Sequence, residues 1–253
     1  MLNELFFAFV QALTEFLPVS SSGHLALFSF FFGEINLFFI TFLHLASLFA
    51  VLLFTRKEIF KILRFKKEDR PLLFYLIIAT IPAAIFGLFF EDIVERSFNN
   101  LLFLSFGFLF TGTILFFTKF VHLSNKSFTF NNSILIGLFQ VLALFPGVSR
   151  SGMTISAGMF SGINKEKITK FSFLLFIPLS IGSFLLKAKD YLSVNKGFDF
   201  SLYSLLLPFF VCFILSIIFL NLLYYVIKKE KFWLFSIYCW FVGILCLVFY
   251  LFN

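Results

Sequence analysis

Four ionisable side chains lie within otherwise apolar stretches: Glu15, His24, His44 and Arg150. Charge in hydrocarbon is costly, so each of them asks for a reason. Three of the four fall in or directly beside two segments that repeat one another. Gln11 to Gly23 reads QALTEFLPVSSSG, and Gln140 to Gly152, 129 positions on, reads QVLALFPGVSRSG, with seven of thirteen residues shared. The copies diverge where chemistry would sit: Ser21 aligns with Arg150, Glu15 with Leu144 and His24 with Met153. One copy therefore supplies an acid, an imidazole and a run of hydroxyls. The other supplies a fixed cation between Ser149 and Ser151.

That inventory suits phosphate. A guanidinium is a planar fork of donors for phosphate oxygens and keeps its charge. Hydroxyls, and the N–H groups of a turn opening into a helix, add further donors. Ser20, Ser21 and Ser22 are candidate nucleophiles, His24 a candidate proton carrier, and Glu15 could orient either group or bind a divalent cation. Plainer readings compete. Glu15 and Arg150 could form a purely structural ion pair, His24 could be a hydrogen-bonded packing residue, and the serines could simply cap helices. His44 has no counterpart in the second copy, and packing and a site role stay equally open for it. Gln11 and Gln140 are placed to hydrogen-bond to each other between the copies.

The elements that must position these residues are membrane spans. The chain is 60% hydrophobic and only 13% charged, with mean hydropathy +1.02, whereas a soluble domain carries about a quarter charged residues. Long unbroken apolar runs speak for helices and against a β-barrel, whose strands would alternate. Six runs have spanning length, at about 37–54, 72–90, 101–118, 171–186, 202–226 and 233–252, the fourth marginally. Regions 5–32 and 133–162 are apolar but interrupted by Pro, Gly and Ser. They read as re-entrant helical hairpins whose tips line a watery cavity or are buried in protein.

Charge sets the orientation. Segments 56–70, 119–132, 164–170 and 228–231 hold fifteen Lys and Arg, while 91–100 and 187–200 hold four. The first group belongs in the cytoplasm. The hairpins then enter from opposite sides, each followed by three spans. The expected architecture is an all-α integral membrane protein, one membrane domain over 1–253, built as inverted-topology repeats at about 1–118 and 133–253, with the two tips meeting near the midplane. The net charge of +7 sits in short loops, as topology signals do, and does not suggest nucleic-acid binding. Residues ahead of the first motif lack a basic region and do not read as a signal peptide. Cys212, Cys239 and Cys246 lack metal-ligand spacing and read as small core residues. Glu34, Glu91, Asp92 and Glu95 read as solvated outer-loop acids, and Pro82, Ala83, Ala84 and Gly87 as a close-packing helix face.

The runs TEFLPVSSSGH (Thr14 to His24) and PGVSRSGMTIS (Pro146 to Ser156), with HLASLFAVL from His44, IPAAIFGL at 81–88 and FSFLLFIP at 171–178, resemble the undecaprenyl-diphosphatases, also called bacitracin-resistance proteins. The resemblance runs from end to end. It implies an inner-membrane phosphatase that removes the terminal phosphate of undecaprenyl pyrophosphate, recycling the carrier of cell-wall precursors. It maps the family's essential residues onto Glu15, Ser21, His24 and Arg150, and further polar motif positions onto Gln11, Ser20, Ser22, Ser149, Ser151 and Thr154. It also implies a divalent cation, Mg2+ or Ca2+, for which Glu15 is the candidate ligand. Two departures stand out. Gln11 replaces a Glu found in many relatives, so a two-carboxylate metal site is not assumed, and Cys239 stands where relatives often carry Arg.

The mechanism expected is in-line attack on the terminal phosphorus by Ser21 or by a water it positions. Arg150 would hold phosphate oxygens, His24 would shuttle the proton and Glu15 would orient it. The polyprenyl tail would lie between spans and the head would enter from the outer, periplasmic face. A transporter or flippase of the lipid carrier is the rival, because inverted halves with broken helices suit alternating access. The oligomeric state stays open, a homodimer included.

Overall fold

The computed structural model describes residues 2–33, 37–64, 66–67, 69–98, 100–121, 126–194 and 202–252. Glu34 lies outside them. Among the described residues the regular structure is helical, with one isolated bridge between Lys126 and Ile163. The first half runs α1 (Leu2–Phe16), α2 (Ser21–Phe32), α3 (Leu37–Phe54), α4 (Arg56–Leu63), α5 (Arg70–Phe89), α6 (Glu91–Phe98) and α7 (Leu101–Phe117). The second runs α8 (Phe130–Leu142), α9 (Arg150–Phe160), α10 (Lys165–Val194), α11 (Leu202–Lys228) and α12 (Phe235–Phe252).

Five helices are long and apolar enough to cross a membrane, or six if α3 and α4, bent by 73° at Thr55, count as one span. Many large apolar side chains face outward, among them Phe106, Ile214, Ile218 and Phe241, each more than half exposed. In water such a surface would drive aggregation; against lipid it is the expected exterior. The chain is a multi-pass membrane protein. Where the sequence suggests a marginal span at 171–186, the helix is longer, since α10 carries its apolar stretch between polar ends.

Two loops expected from the sequence are helices. α4 begins the basic segment after α3, and α6 occupies the acidic stretch after α5. Asp92 and Glu95 are exposed and Glu91 partly so, as expected, and Lys187 on α10 also bridges Glu91 and Glu95, a pairing that the local sequence does not signal. The expected close-packing face is present on α5, where Ala79 and Ala83 are buried and Gly137 of α8 abuts the Ala79 carbonyl and Pro82.

Packing pairs the helices across the two halves. α1 lies on α11 as α8 lies on α5, α3 packs on both α10 and α11, α10 reaches α5, and α7 runs along α12. The two helix–turn–helix units, α1–α2 and α8–α9, bring their turns together. Ser151 Oγ donates to the Leu17 carbonyl at 3.5 Å. A Cβ built on Gly23 would come within 2.8 Å of Gly147 Cα, and one on Gly107 of α7 within 2.2 Å of the Pro146 carbonyl oxygen. The turns therefore touch backbone to backbone, with α7 beside them.

Candidate functional site

Both turns are made by the same device. Pro18 and Pro146 lie in the turns that follow α1 and α8, and a serine then starts the next helix. Ser20 Oγ accepts from Gly23 N at 3.2 Å, and Ser149 Oγ accepts from Gly152 N at 3.1 Å. Each cap closes one orphan donor of a helix N-terminus. Backbone strain is distributed differently. Ser20 has φ 67° and ψ 97°, whereas Ser149 is ordinary and extended at φ −78°. In the second turn the left-handed residue is Gly147, at φ +83°.

Glu15, at the end of α1, is the hub of the site. Its side chain is buried, and Arg150 Nη2, from the first residue of α9, donates to Oε1. Oε2 accepts from Ser21 Oγ at 2.6 Å and from Gln11 Nε2 at 2.8 Å, and His44 Nε2 stands 3.4 Å away. The Arg150 guanidinium lies over the Phe176 ring, Cζ 3.9 Å from its centroid, an arrangement that fixes the plane of the fork. An isolated carboxylate would be intolerable here. With a guanidinium, a hydroxyl and an amide around it, the buried anion is matched. The acid of one copy and the cation of the other do meet, as the sequence suggests.

Other expectations are redirected. His24 is buried, with both ring nitrogens engaged away from this cluster. Nδ1 lies 2.7 Å from the Ser20 carbonyl oxygen, which can only accept, so Nδ1 carries the proton and Nε2 accepts from Tyr238 O–H at 2.7 Å. The ring is stacked on Tyr238 and edge-on to Phe108. In this arrangement His24 does not reach Ser21, and the imidazole beside Glu15 is that of His44. Gln11 and Gln140 do not bond to each other: Gln11 donates to Glu15 and Gln140 to the Ala79 carbonyl at 3.3 Å. Of the proposed phosphate contacts, Ser149 and Ser151 face each other at 3.3 Å with Ser149 also capping α9, while Thr154 donates to the Arg150 carbonyl and pairs with Ser172 at 2.6 Å. Ser20 and Ser22 form the matching pair at 3.4 Å. Four of these hydroxyls pair within the turns, Thr154 ties α9 to α10, and Ser22 stays half-buried.

The donor set fits a divalent cation poorly. Ca2+ takes six to eight oxygen ligands with several carboxylates among them, and Mg2+ needs at least one or two free carboxylates beside waters and substrate phosphates. Here one carboxylate has its two oxygens already turned to Arg150 and to Ser21, Gln11 and His44. Among the described residues no group of three or more His, Cys, Asp or Glu could hold a metal. The one spare oxygen at the hub is Gln11 Oε1, buried without a partner. The three cysteines are free and buried, as expected of core residues.

The family model of the bacitracin resistance protein BacA matches residues 4–245. An undecaprenyl-diphosphatase of Thermosipho africanus is 40% identical, over 96% of this chain and 98% of that protein. One of Alkaliphilus metalliredigens is 39% identical, over 95% of each, and one of Methanobrevibacter smithii 41%, over 93% and 92%.

Proposed function

The chain belongs to the bacitracin resistance protein BacA family, and from that premise we propose that it hydrolyses undecaprenyl pyrophosphate to undecaprenyl phosphate and inorganic phosphate. The observation that carries the reading is the Ser21–Glu15–Arg150 cluster, in which a hydroxyl donates at 2.6 Å to a buried carboxylate that also pairs with a guanidinium from the other copy. A binding site for transport needs the cation but has no use for a nucleophile held against a base.

In this mechanism Ser21 Oγ attacks the terminal phosphorus and its proton passes to Glu15 Oε2. The bond from that phosphorus to the bridging oxygen breaks, and undecaprenyl phosphate leaves with the electron pair. Water then releases phosphate from the serine. The guanidinium N–H groups of Arg150 that do not face Glu15 stabilise the charge gathering on the transferred group. No step is assigned to a protein-bound metal.

The site sits in one membrane domain, residues 1–253, of six spans (α3, α5, α7, α10, α11, α12) and two re-entrant hairpins (α1–α2, α8–α9), arranged as inverted repeats. Exchanging the halves supports this: α1 on α11 becomes α8 on α5, α3 on α11 becomes α10 on α5, and α3–α10 and α7–α12 map onto themselves. The loop charge supports an outward-opening site in a bacterial cytoplasmic membrane.

Purified protein in detergent, with no second compartment to transport into, should release inorganic phosphate from a polyprenyl pyrophosphate. Mass spectrometry of acid-quenched protein should find phosphate on Ser21. Protein that binds the lipid yet releases no phosphate would return the transporter reading to first place. Hydrolysis with no phosphate ever on Ser21 would make water the nucleophile.

A further inference from the structure

The strained residue of the first turn is held in a way that the second turn does not repeat. Ser20 is left-handed, at φ 67° and ψ 97°, and a non-glycine residue stays in such a state only where its surroundings impose it. Its carbonyl oxygen accepts twice from His24, from the backbone N at 3.2 Å and from Nδ1 at 2.7 Å. The ψ rotation of Ser20 turns this carbonyl, and the same rotation sets the direction in which the chain enters Ser21. A grip on the carbonyl is therefore a grip on the base of the Ser21 side chain. In the second turn the residue aligned with His24 is Met153, apolar and fully buried. The aligned serine, Ser149, is extended and needs no such hold.

A ring acts as a strut only if its far end is anchored. Here the anchor is Tyr238, on α12. Its ring lies along that of His24 with the planes 10° apart, and its hydroxyl donates to Nε2 at 2.7 Å. The His24 ring is buried, with Phe108 edge-on to it. Without the hydroxyl, Nε2 would keep a buried lone pair that no donor satisfies, which is costly. The ring lowers that cost by swinging, and any swing takes Nδ1 off the Ser20 carbonyl.

We propose that Tyr238 is a positioning residue for the nucleophile: through the His24 ring it holds the Ser20 carbonyl, and with it Ser21, against Glu15. The inference rests on the hydrolytic reading above and deepens it. Ser21 Oγ stands 2.6 Å from Glu15 Oε2, and a reacting group must be held to within about 0.5 Å of its working place. Tyr238 touches no reacting atom. No proton moves along the relay, and no bond in it forms or breaks beyond the hydrogen bonds themselves. Its effect is to tie the last helix of the chain to the turn that carries Ser21, across 214 positions.

The test pairs phosphate release from a polyprenyl pyrophosphate with NMR of protein carrying nitrogen-15 histidine, both in detergent. Tyr238→Phe keeps the ring and its stack and loses one donor. Its kcat should fall about 10-fold, short of the roughly 10²-fold that a full ångström of misplacement can cost, with KM for the lipid unchanged. In the spectra the His24 Nε2 signal should move, and the Nδ1–H, protected in wild type, should exchange faster with water. His24→Asn, whose amide can still donate to the Ser20 carbonyl, should keep more activity than His24→Met, which places the second turn's residue in the first. A thermal midpoint for each variant separates lost fold from lost placement. Wild-type kcat in Tyr238→Phe would overturn the assignment, and so would a lowered kcat with the His24 signals unmoved. Should Tyr238→Phe not fold, a folded His24→Asn no more active than His24→Met would overturn it instead. If wild type releases no phosphate, the hydrolytic reading falls, while the spectra still decide whether Tyr238 holds the ring.

Discussion

The two turns are the same object used twice for different ends. In both, a serine caps a helix through its third residue and faces a second serine two places on, at 3.4 Å in the first turn and 3.3 Å in the second. At the position between the paired serines the first turn has Ser21 and the second Arg150. The scaffold repeats and the chemistry does not. Each turn alone is incomplete, for the first has an anion with no cation and the second a cation with no anion. The comparison teaches that the duplication supplies geometry, and that function arises where the copies stopped matching.

Breaking the cross-copy pair should have the largest effect. Arg150→Lys keeps a charge but loses the fork, and kcat/KM should fall about 10³-fold in a phosphate-release assay. Arg150→Met should also destabilise the fold by roughly 3–5 kcal/mol, because Glu15 would remain buried and unpaired. The double variant Glu15→Gln/Arg150→Met should recover much of that stability and none of the activity. If Arg150→Met proves as stable as wild type in detergent, Glu15 is not matched by Arg150, and the account of the site fails at its centre.

The contact between the turns should come next. A methyl at Gly107 has nowhere to go, since its Cβ would lie 2.2 Å from the Pro146 oxygen. Gly107→Ala should cost about 1–3 kcal/mol through displaced backbone. It should lower kcat as well, because moving the second turn moves Arg150. Gly182, around which a Cβ would meet nothing within 4 Å, is the control: Gly182→Ala on α10 should leave both quantities near wild type.

Much of this was legible in the sequence. The apolar stretches, the two broken segments and the Glu15–Arg150 pairing all follow from patterns local to each segment plus one alignment of the chain with itself. What escaped is tertiary. Tyr238 takes the Nε2 of His24 from 214 positions away, and nothing in the run around it signals a partner. Lys187 gathers Glu91 and Glu95 from a helix nearly a hundred positions distant. His44 carries a signal, being an ionisable residue in an apolar stretch, but only the packing of α3 beside α1 puts it 3.4 Å from Glu15. Motif membership draws attention to His24, whose ring the packing ties to Ser20 and Tyr238.

The smallest effect separates the turns most finely. Ser20 holds a left-handed backbone without being glycine, a conformation that costs of order 1–3 kcal/mol. Replacing a capping serine by glycine costs only a few tenths, and glycine adds about 0.5–1 kcal/mol of chain entropy. Ser20→Gly should therefore leave stability unchanged or raise it by about 1 kcal/mol. Ser149→Gly relieves no strain, because Ser149 is extended and Gly147 already carries the left-handed turn, so it should lower stability by roughly 1 kcal/mol. Thermal unfolding of the two variants side by side in one detergent reads the difference. Opposite signs would place stored strain beside the nucleophile, where relaxing it should loosen Ser21 and lower kcat. Equal losses would mean that the two turns differ only in the side chains they carry.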